Sequence, residues 1–107
     1  MVGNALIAQA QDPLVVNADT VHLKLENERV RVLESNLPPG GKENMHSHPA
    51  YVVYVIKGGT TRTHFPDGKV VDTVLEPGTV IYRDPVTHWA ENIGATESNV
   101  LMVELKK

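Results

Sequence analysis

Apolar and polar residues alternate in short segments along most of this chain, and turn residues separate the segments. The alternation runs through residues 21–26 and again through residues 29–33, with the Asn27-Glu28 pair between them. A period of two is typical of a strand that has one buried and one solvated face. The pattern therefore predicts a β-hairpin over residues 21–33 whose outer face is wet.

The middle of the chain contains three more segments that are rich in β-branched residues. Residues 51–56 are apolar without alternation, which predicts a central strand covered on both faces. Residues 60–65 and 70–75 flank Pro66-Asp67-Gly68-Lys69, and Asp-Gly is a strong signal for a tight turn between paired strands. These two segments are therefore predicted to form a second hairpin.

Turn residues continue to punctuate the chain toward its end. Residues 79–83 follow Pro77-Gly78, a pair suited to a type II turn, and residues 99–105 supply a closing strand. Helical periodicity is hard to find. Short strands at such spacing predict an all-β sandwich or barrel.

Length and the N-terminal composition indicate how this fold is organised. A chain of 107 residues is expected to be one domain, with the barrel over residues 21–107 and an N-terminal arm or edge strand over residues 1–20. A helical turn fits only the first dozen residues, with a break at Asp12-Pro13. Ala8-Gln9-Ala10 resembles the end of a signal peptide, but no Lys or Arg precedes the apolar stretch, which favours a cytoplasmic protein.

Composition excludes several classes of function. The formal net charge is −3 and the basic residues are scattered, so no surface for nucleic acid is expected. No apolar run approaches the roughly 20 residues of a membrane-spanning helix. The chain has no cysteine, which leaves any metal to imidazole, carboxylate and water ligands.

Histidines carry the strongest chemical signal. His46 and His48 are two residues apart, so in a strand their side chains point to the same face. His88, from a distant strand, could close a metal site of three nitrogens. His64 lies in a Thr-rich strand, where a lone histidine is more often a hydrogen-bonded surface residue than a pocket residue.

The context of these histidines resembles the cupin superfamily. Gly41, His46-Ser-His48 and Gly58 follow the order of the family's first motif, and Pro77-Gly78 with His88-x-x-x-Asn92 follows that of the second. The resemblance covers about residues 40–105, and it is closest to the small cupins labelled as β-alanine-degradation proteins, which look similar around Met45–Pro49 and Phe65–Lys69. It implies a single-domain jelly-roll β-barrel with metal ligands at His46, His48 and His88.

One departure from the family pattern affects the chemistry. The family's usual glutamate ligand is absent, because no carboxylate lies between His48 and Gly58 and Tyr51 takes its position. Three neutral imidazoles would leave the charge of a divalent ion uncompensated, which favours a small anionic or enolisable substrate. Resemblance to three-histidine cupin dioxygenases favours Fe(II), while the ligand types leave Zn, Ni, Mn and Cu open.

The resulting hypothesis is a metal-dependent enzyme of dioxygenase type in which Tyr51 orients the ligand. A redox-neutral isomerase or lyase that uses Glu91 or His64 as a base is a second interpretation, and a non-catalytic module that binds a metabolite or a metal is a third. Glu43 is a further candidate for a residue supporting the metal site. Exposed edge strands in a barrel of this size predict a homodimer.

Overall fold

The computed structural model describes residues 11–107, which form one short helix and nine strands. The elements are α1 (Pro13–Val16), β1 (Val21–Glu26), β2 (Val30–Leu37), β3 (His46–His48), β4 (Tyr51–Lys57), β5 (Gly59–His64), β6 (Val70–Leu75), β7 (Val80–Arg83), β8 (Val86–Asn92) and β9 (Ser98–Leu105). No helix within the described range has the length and apolar character needed to cross a bilayer.

Two antiparallel sheets build the body of the protein. One has the strand order β1-β2-β9-β4-β7, and the other has the order β3-β8-β5-β6. Because the strands of each sheet present alternate residues to its two faces, the inward residues of both sheets surround a common interior. This arrangement confirms the prediction of an all-β, single-domain jelly-roll barrel.

Both predicted hairpins are present. Asn27 shapes the first turn, since its Oδ1 accepts hydrogen bonds from the backbone N–H of Arg29 at 2.8 Å and of Val30 at 2.9 Å. The second turn connects β5 to β6, and Gly68 adopts a φ of 91° there, which is the left-handed region that glycine enters without steric cost. Turn chemistry in the sequence therefore fixed these two connections.

The apolar core lies on the inner face of the five-stranded sheet. Its buried members are Val21, Leu33, Tyr51, Val53 and Met102. Side chains do not fill the whole interior, and a cavity of about 440 Å³ lies between the two sheets. The cavity is within the size range of sites that bind small molecules.

Strand β4 is central but is covered on one face only, so the prediction of two buried faces is wrong. It pairs with β9 on one side and β7 on the other. Tyr54 is 44% exposed and Ile56 is 39% exposed on its outer face. The second sheet packs only against the inner face, and nothing else in residues 11–107 covers the outer one.

The N-terminal segment also differs from the prediction. Asp12-Pro13 starts a helix instead of breaking one, because Asp12 is the N-cap and accepts a hydrogen bond from the backbone N–H of Leu14 at 2.9 Å. Proline at the first helical position needs no N–H partner. Residues 11–20 therefore contain α1, and Ala8-Gln9-Ala10 lies outside the described residues.

Candidate metal centre

Three imidazoles meet inside the barrel. His46 and His48 lie on the inner face of β3, and β8 pairs with β3 so that His88 is the register partner of His46. The ring centroids are 4.8 Å apart for His46 and His48, 4.9 Å for His46 and His88, and 5.5 Å for His48 and His88. One nitrogen from each ring lies within 4.8 Å of the other two. The three predicted ligands thus form a group that could hold one metal ion.

The helix α1 helps to position His46. The Nδ1 atom of His46 lies 2.8 Å from the backbone carbonyl oxygen of Asn44, which can only accept, and 3.1 Å from the side-chain amide nitrogen of Asn17. The shorter contact assigns the proton to Nδ1 and leaves Nε2 free. Asn17 at the C-terminal cap of α1 accepts a hydrogen bond from the backbone N–H of Asn44 at 2.7 Å. The loop before β3 is therefore tied to α1, and the free nitrogen of His46 is available to a metal.

A partly buried ion-pair network orients His48. Its Nδ1 lies 2.7 Å from Oε2 of Glu104, and Oε1 of Glu104 accepts a hydrogen bond from Nε of Arg31 at 2.9 Å. Arg31 also donates to both carboxylate oxygens of Asp12, at 2.7 and 2.9 Å. A carboxylate behind a metal-binding histidine fixes its tautomer and raises its basicity. Glu104 thus leaves Nε2 of His48 free for an ion.

The electrostatics of the site keep two of these ligands neutral. Burial lowers the pKa of His46 to about 4, and burial followed by the charges of the neighbouring histidines lowers the pKa of His88 to about 3. Metal ions bind deprotonated imidazole, so no proton has to leave these two rings at neutral pH. The residues present therefore fit a divalent transition metal.

Tyr51 is the predicted ligand-orienting residue, and the structure brings it to the cluster. Its ring is stacked on His48 with centroids 4.4 Å apart. Burial raises the pKa of Tyr51 to about 12, although the nearby Arg83 acts in the opposite direction. The phenol therefore keeps its proton at neutral pH and can donate a hydrogen bond into the cavity.

His64 and Glu91 were predicted as candidate catalytic residues, and the structure places both outside the cavity. His64 stacks on Trp89 with centroids 3.8 Å apart, and its Nε2 lies 3.0 Å from Oε1 of Glu91. Successive side chains of a strand point to opposite faces. The residues next to them in the chain, Thr63 of β5 and Ala90 of β8, therefore line the cavity instead. A role for either residue as a base at the histidine cluster does not agree with this geometry.

Sequence reasoning missed Arg83 in the cavity wall and Glu104 behind it, whereas Glu43 is a predicted residue that the structure brings to the cavity. Glu43 and Arg83 line the cavity, and Glu104 supports His48 from behind. A signal existed for both missed residues, because Arg83 and Glu104 share the inward phase of their strands with the apolar Ile81 and Met102. A charged residue in the inward phase of a strand is uncommon unless it has a partner or a function.

The metal-free protein is predicted to lose stability as the pH falls from 7 to 5. The fold lowers the pKa of His46 to about 4 and that of His88 to about 3, both below the ordinary value of 6.5. Their contribution to the free energy of unfolding is therefore complete above pH 6.5 and is lost progressively as the pH falls toward these folded pKa values. Glu43 opposes this, because burial raises its pKa from 4.5 to about 7. Two histidines against one glutamate leave a net loss on the order of 2 kcal/mol at pH 5.

Urea unfolding of metal-free protein at several pH values measures this effect. The His88→Ala variant is the control, and it should lose less stability over the same interval because the group with the lowest pKa is gone. A wild-type urea midpoint that is unchanged or higher at pH 5 would contradict the prediction.

Known structures with a similar fold support this description. A cupin domain from Bordetella pertussis Tohama I is 32% identical, with a TM-score of 0.75, 81% of this chain covered and 92% of that one. A conserved Klebsiella pneumoniae protein with a double-stranded β-helix domain is 26% identical, with a TM-score of 0.63 and coverage of 78% and 72%. A Thermotoga maritima protein described as a predicted oxalate decarboxylase is 24% identical, with a TM-score of 0.59 and coverage of 81% and 79%.

A comparison with protein families gives a match over most of the chain. The model of the cupin family matches residues 8–107. No curated protein matches the chain. The family match spans all three histidines as well as both sheets, and it agrees with the fold and with the motifs read from the sequence. The chain therefore belongs to the cupin family.

Proposed function

We propose that this cupin is a metal-dependent enzyme that acts on a small anionic or enolisable substrate. The observation that carries the proposal is the group of three imidazole nitrogens within 4.8 Å of one another at the wall of a cavity of about 440 Å³. A structural metal site needs no such cavity, whereas a catalytic site needs space for a substrate beside the ion.

The ion would be held by His46, His48 and His88. When bound, a divalent transition metal supplies Lewis acidity and, if it is iron, the capacity to activate dioxygen. In the favoured reaction of dioxygenase type, dioxygen is reduced as the substrate carbon is oxidised, and both oxygen atoms enter the product. Fe(II) is the proposed ion because the set of His46, His48 and His88 resembles that of three-histidine cupin dioxygenases.

Two side chains of the cavity wall suit an anionic substrate. Arg83 is the register partner of Tyr51 across β7 and β4, so the guanidinium and the phenol line neighbouring parts of the wall. Arg83 forms no ion pair within residues 11–107, so it is free to bind a carboxylate. Tyr51 would donate a hydrogen bond to an oxygen atom of the same ligand.

Replacing Arg83 with glutamine is expected to weaken binding of a carboxylate ligand while metal affinity stays unchanged. Acetopyruvate and acetylacetone share a metal-binding diketone, but only acetopyruvate carries a carboxylate. Because a charge-assisted hydrogen bond is lost, the affinity for acetopyruvate should fall about 10- to 100-fold, while the affinity for acetylacetone should change by no more than about twofold. Titration of the metal-loaded protein, followed by its visible absorption, measures both ligands.

The control for this variant is Arg62→Gln. Arg62 lies on the outer face of the other sheet, where it pairs with Asp72 at 2.8 and 3.0 Å. It should leave both diketones unaffected. Equal weakening of the two ligands by Arg83→Gln would assign Arg83 to general packing of the cavity instead of carboxylate recognition.

Metal analysis and oxygen consumption test the proposed function directly. Protein made without a histidine tag is analysed for metal, reconstituted with Fe(II), and assayed in an oxygen electrode with diketones, thiol acids and small dicarboxylates. Oxygen uptake that requires both iron and one of these substrates supports the proposal. Tightly held zinc without oxygen uptake favours a redox-neutral enzyme, and binding without turnover favours a module that only binds its ligand.

Three finer predictions from the sequence remain proposals. The similarity to cupins labelled as β-alanine-degradation proteins rests on the motifs around Met45–Pro49 and Phe65–Lys69, and the proposed cytoplasmic location rests on the absence of Lys or Arg before the apolar N-terminal stretch. The homodimer gains a candidate surface on the outer face of the five-stranded sheet, where Tyr54 and Val80 are cross-strand partners. Val80 is 65% exposed and the adjacent Tyr82 is 59% exposed, and apolar surface of this kind favours association. Sedimentation velocity measures the oligomeric state.

A further inference from the structure

A largely buried carboxylate lies beside His46. Glu43 precedes β3 in the chain, and its side chain is 11% exposed. Its Oε1 atom lies 3.9 Å from Nε2 of His46, which is the nitrogen that the hydrogen bond to Asn44 leaves free. Two ligands of one tetrahedral ion with bonds near 2.1 Å are about 3.4 Å apart. Glu43 is therefore close to the position of a ligand that neighbours His46.

Main-chain contacts with β8 hold Glu43 in this position. Its Oε1 accepts a hydrogen bond from the backbone N–H of Ala90 at 3.0 Å, and its own N–H donates to the carbonyl oxygen of Ala90 at 2.9 Å. Ala90 is two residues after His88, so both face the same side of β8. The carboxylate thus lies on the histidine side of the strand, and Oε2 has no hydrogen bond in the described part of the chain.

The charge of Glu43 lacks a positive partner. No lysine or arginine forms an ion pair with it in the range that the structure describes, and the group within ion-pair distance of its carboxylate is the imidazole of His46. A buried carboxylate without a cation is costly to the fold. A metal ion held by the histidines would supply the missing positive charge.

We infer that Glu43 is a fourth protein ligand of the ion, taking the role of the glutamate that this chain lacks between His48 and Gly58. The inference rests on the proposed metal site. It would reduce the net charge of the loaded site from +2 to +1, and an ion that takes more than four ligands would still have room to bind a substrate. In this chain the carboxylate ligand then precedes the His-x-His pair in the sequence, whereas in the usual cupin motif the glutamate follows that pair.

Cobalt binding to Glu43→Gln tests this assignment, with Glu91→Gln as the matched control. Glu91 is a partly buried glutamate on the outer face of β8, hydrogen-bonded to His64. Cobalt affinity is measured by competition with a chelator, and the visible spectrum of bound cobalt reports its ligand set. Glu43→Gln is expected to lose at least about tenfold in affinity and to change the spectrum, while Glu91→Gln matches wild type.

Urea unfolding of the metal-free variants separates ligation from a structural role. Glu43→Gln removes a buried charge, so without metal it should be at least as stable as wild type at pH 7. A structural role would weaken stability and metal binding together. Wild-type cobalt affinity in Glu43→Gln, or reduced affinity with an unchanged spectrum, would overturn the inference. Absence of cobalt binding by wild type would instead refute the metal site and the inference with it.

Discussion

Replacing both His46 and His88 with alanine is expected to reduce metal content to background while the protein stays folded. These residues supply two of the three imidazole nitrogens that lie within 4.8 Å of one another, and His48, even together with Glu43, leaves too few protein ligands to hold an ion against solvent. The fold should survive because both side chains line an existing cavity. Their loss widens that space and creates no new void in the apolar core.

The matched control is the double variant His22→Ala and His64→Ala. It removes the same number of imidazoles, but His22 is exposed on β1 and His64 lies on the outer face of β5. Mass spectrometry of tag-free protein gives the metal content, and circular dichroism with urea unfolding reports the fold. Stoichiometric metal in the His46 and His88 variant would refute the assignment of the site.

Sequence alone predicted His46 and His48 as a pair on one strand face and offered His88 as the third ligand, for which the resemblance then gave the stronger support. The spacing of His46 and His48 requires one strand face for both. The approach of His88 depends on the register between β3 and β8, which joins segments about 40 residues apart. No local pattern encodes such long-range pairing, so the motif order of the cupins carried this part of the prediction.

Whether a candidate catalytic residue was predicted correctly depended on which face of its strand the side chain occupies. His88 and Glu91 are three residues apart in β8, and an odd separation puts them on opposite faces. That argument was available from the sequence and excludes Glu91 from the histidine face. His64 was harder to place, because Thr60 to Thr63 are polar or small on both faces of β5 and give no inward phase.

The outer face of β4 is exposed, although the sequence of this strand predicts burial on both faces. Continuous apolar sequence from Tyr51 to Ile56 predicts burial on both sides, but burial depends on what packs against the strand. In residues 11–107 only the inner face is covered, and Tyr54 remains 44% exposed. The apolar composition of the outer face agrees with the proposed association of two copies, since a buried interface would satisfy the sequence pattern.

Glu104→Gln is expected to destabilise the metal-free protein by about 3–5 kcal/mol and to weaken metal binding about 10- to 100-fold. Glu104 is 3% exposed in its side chain and lies between two donors, Nδ1 of His48 at 2.7 Å and the guanidinium of Arg31 at 2.9 Å. A carboxylate accepts from both. A glutamine amide presents one oxygen and one NH₂ group, so one donor must face another donor in a buried site.

The large effect expected for Glu104→Gln follows from the surroundings of Glu104 and Arg31. Burial alone would lower the pKa of Arg31, but its bonds to Asp12 and Glu104 raise it, so its guanidinium keeps its charge inside the fold. Removing the Glu104 charge leaves this cation with Asp12 alone. His48 also loses the partner that fixes its tautomer, which connects the stability change to the metal site.

Asp72→Asn provides the matched control for Glu104→Gln. Asp72 also pairs with an arginine through two hydrogen bonds, of 2.8 and 3.0 Å to Arg62, but the two side chains are 48% and 42% exposed. Solvent screens such a pair, so its loss should change stability little. Urea midpoints of the metal-free proteins and chelator competition give the two readouts. The prediction is contradicted if Glu104→Gln is as stable as Asp72→Asn and binds metal like wild type. Glu104 would then neither stabilise the fold nor support metal binding through His48.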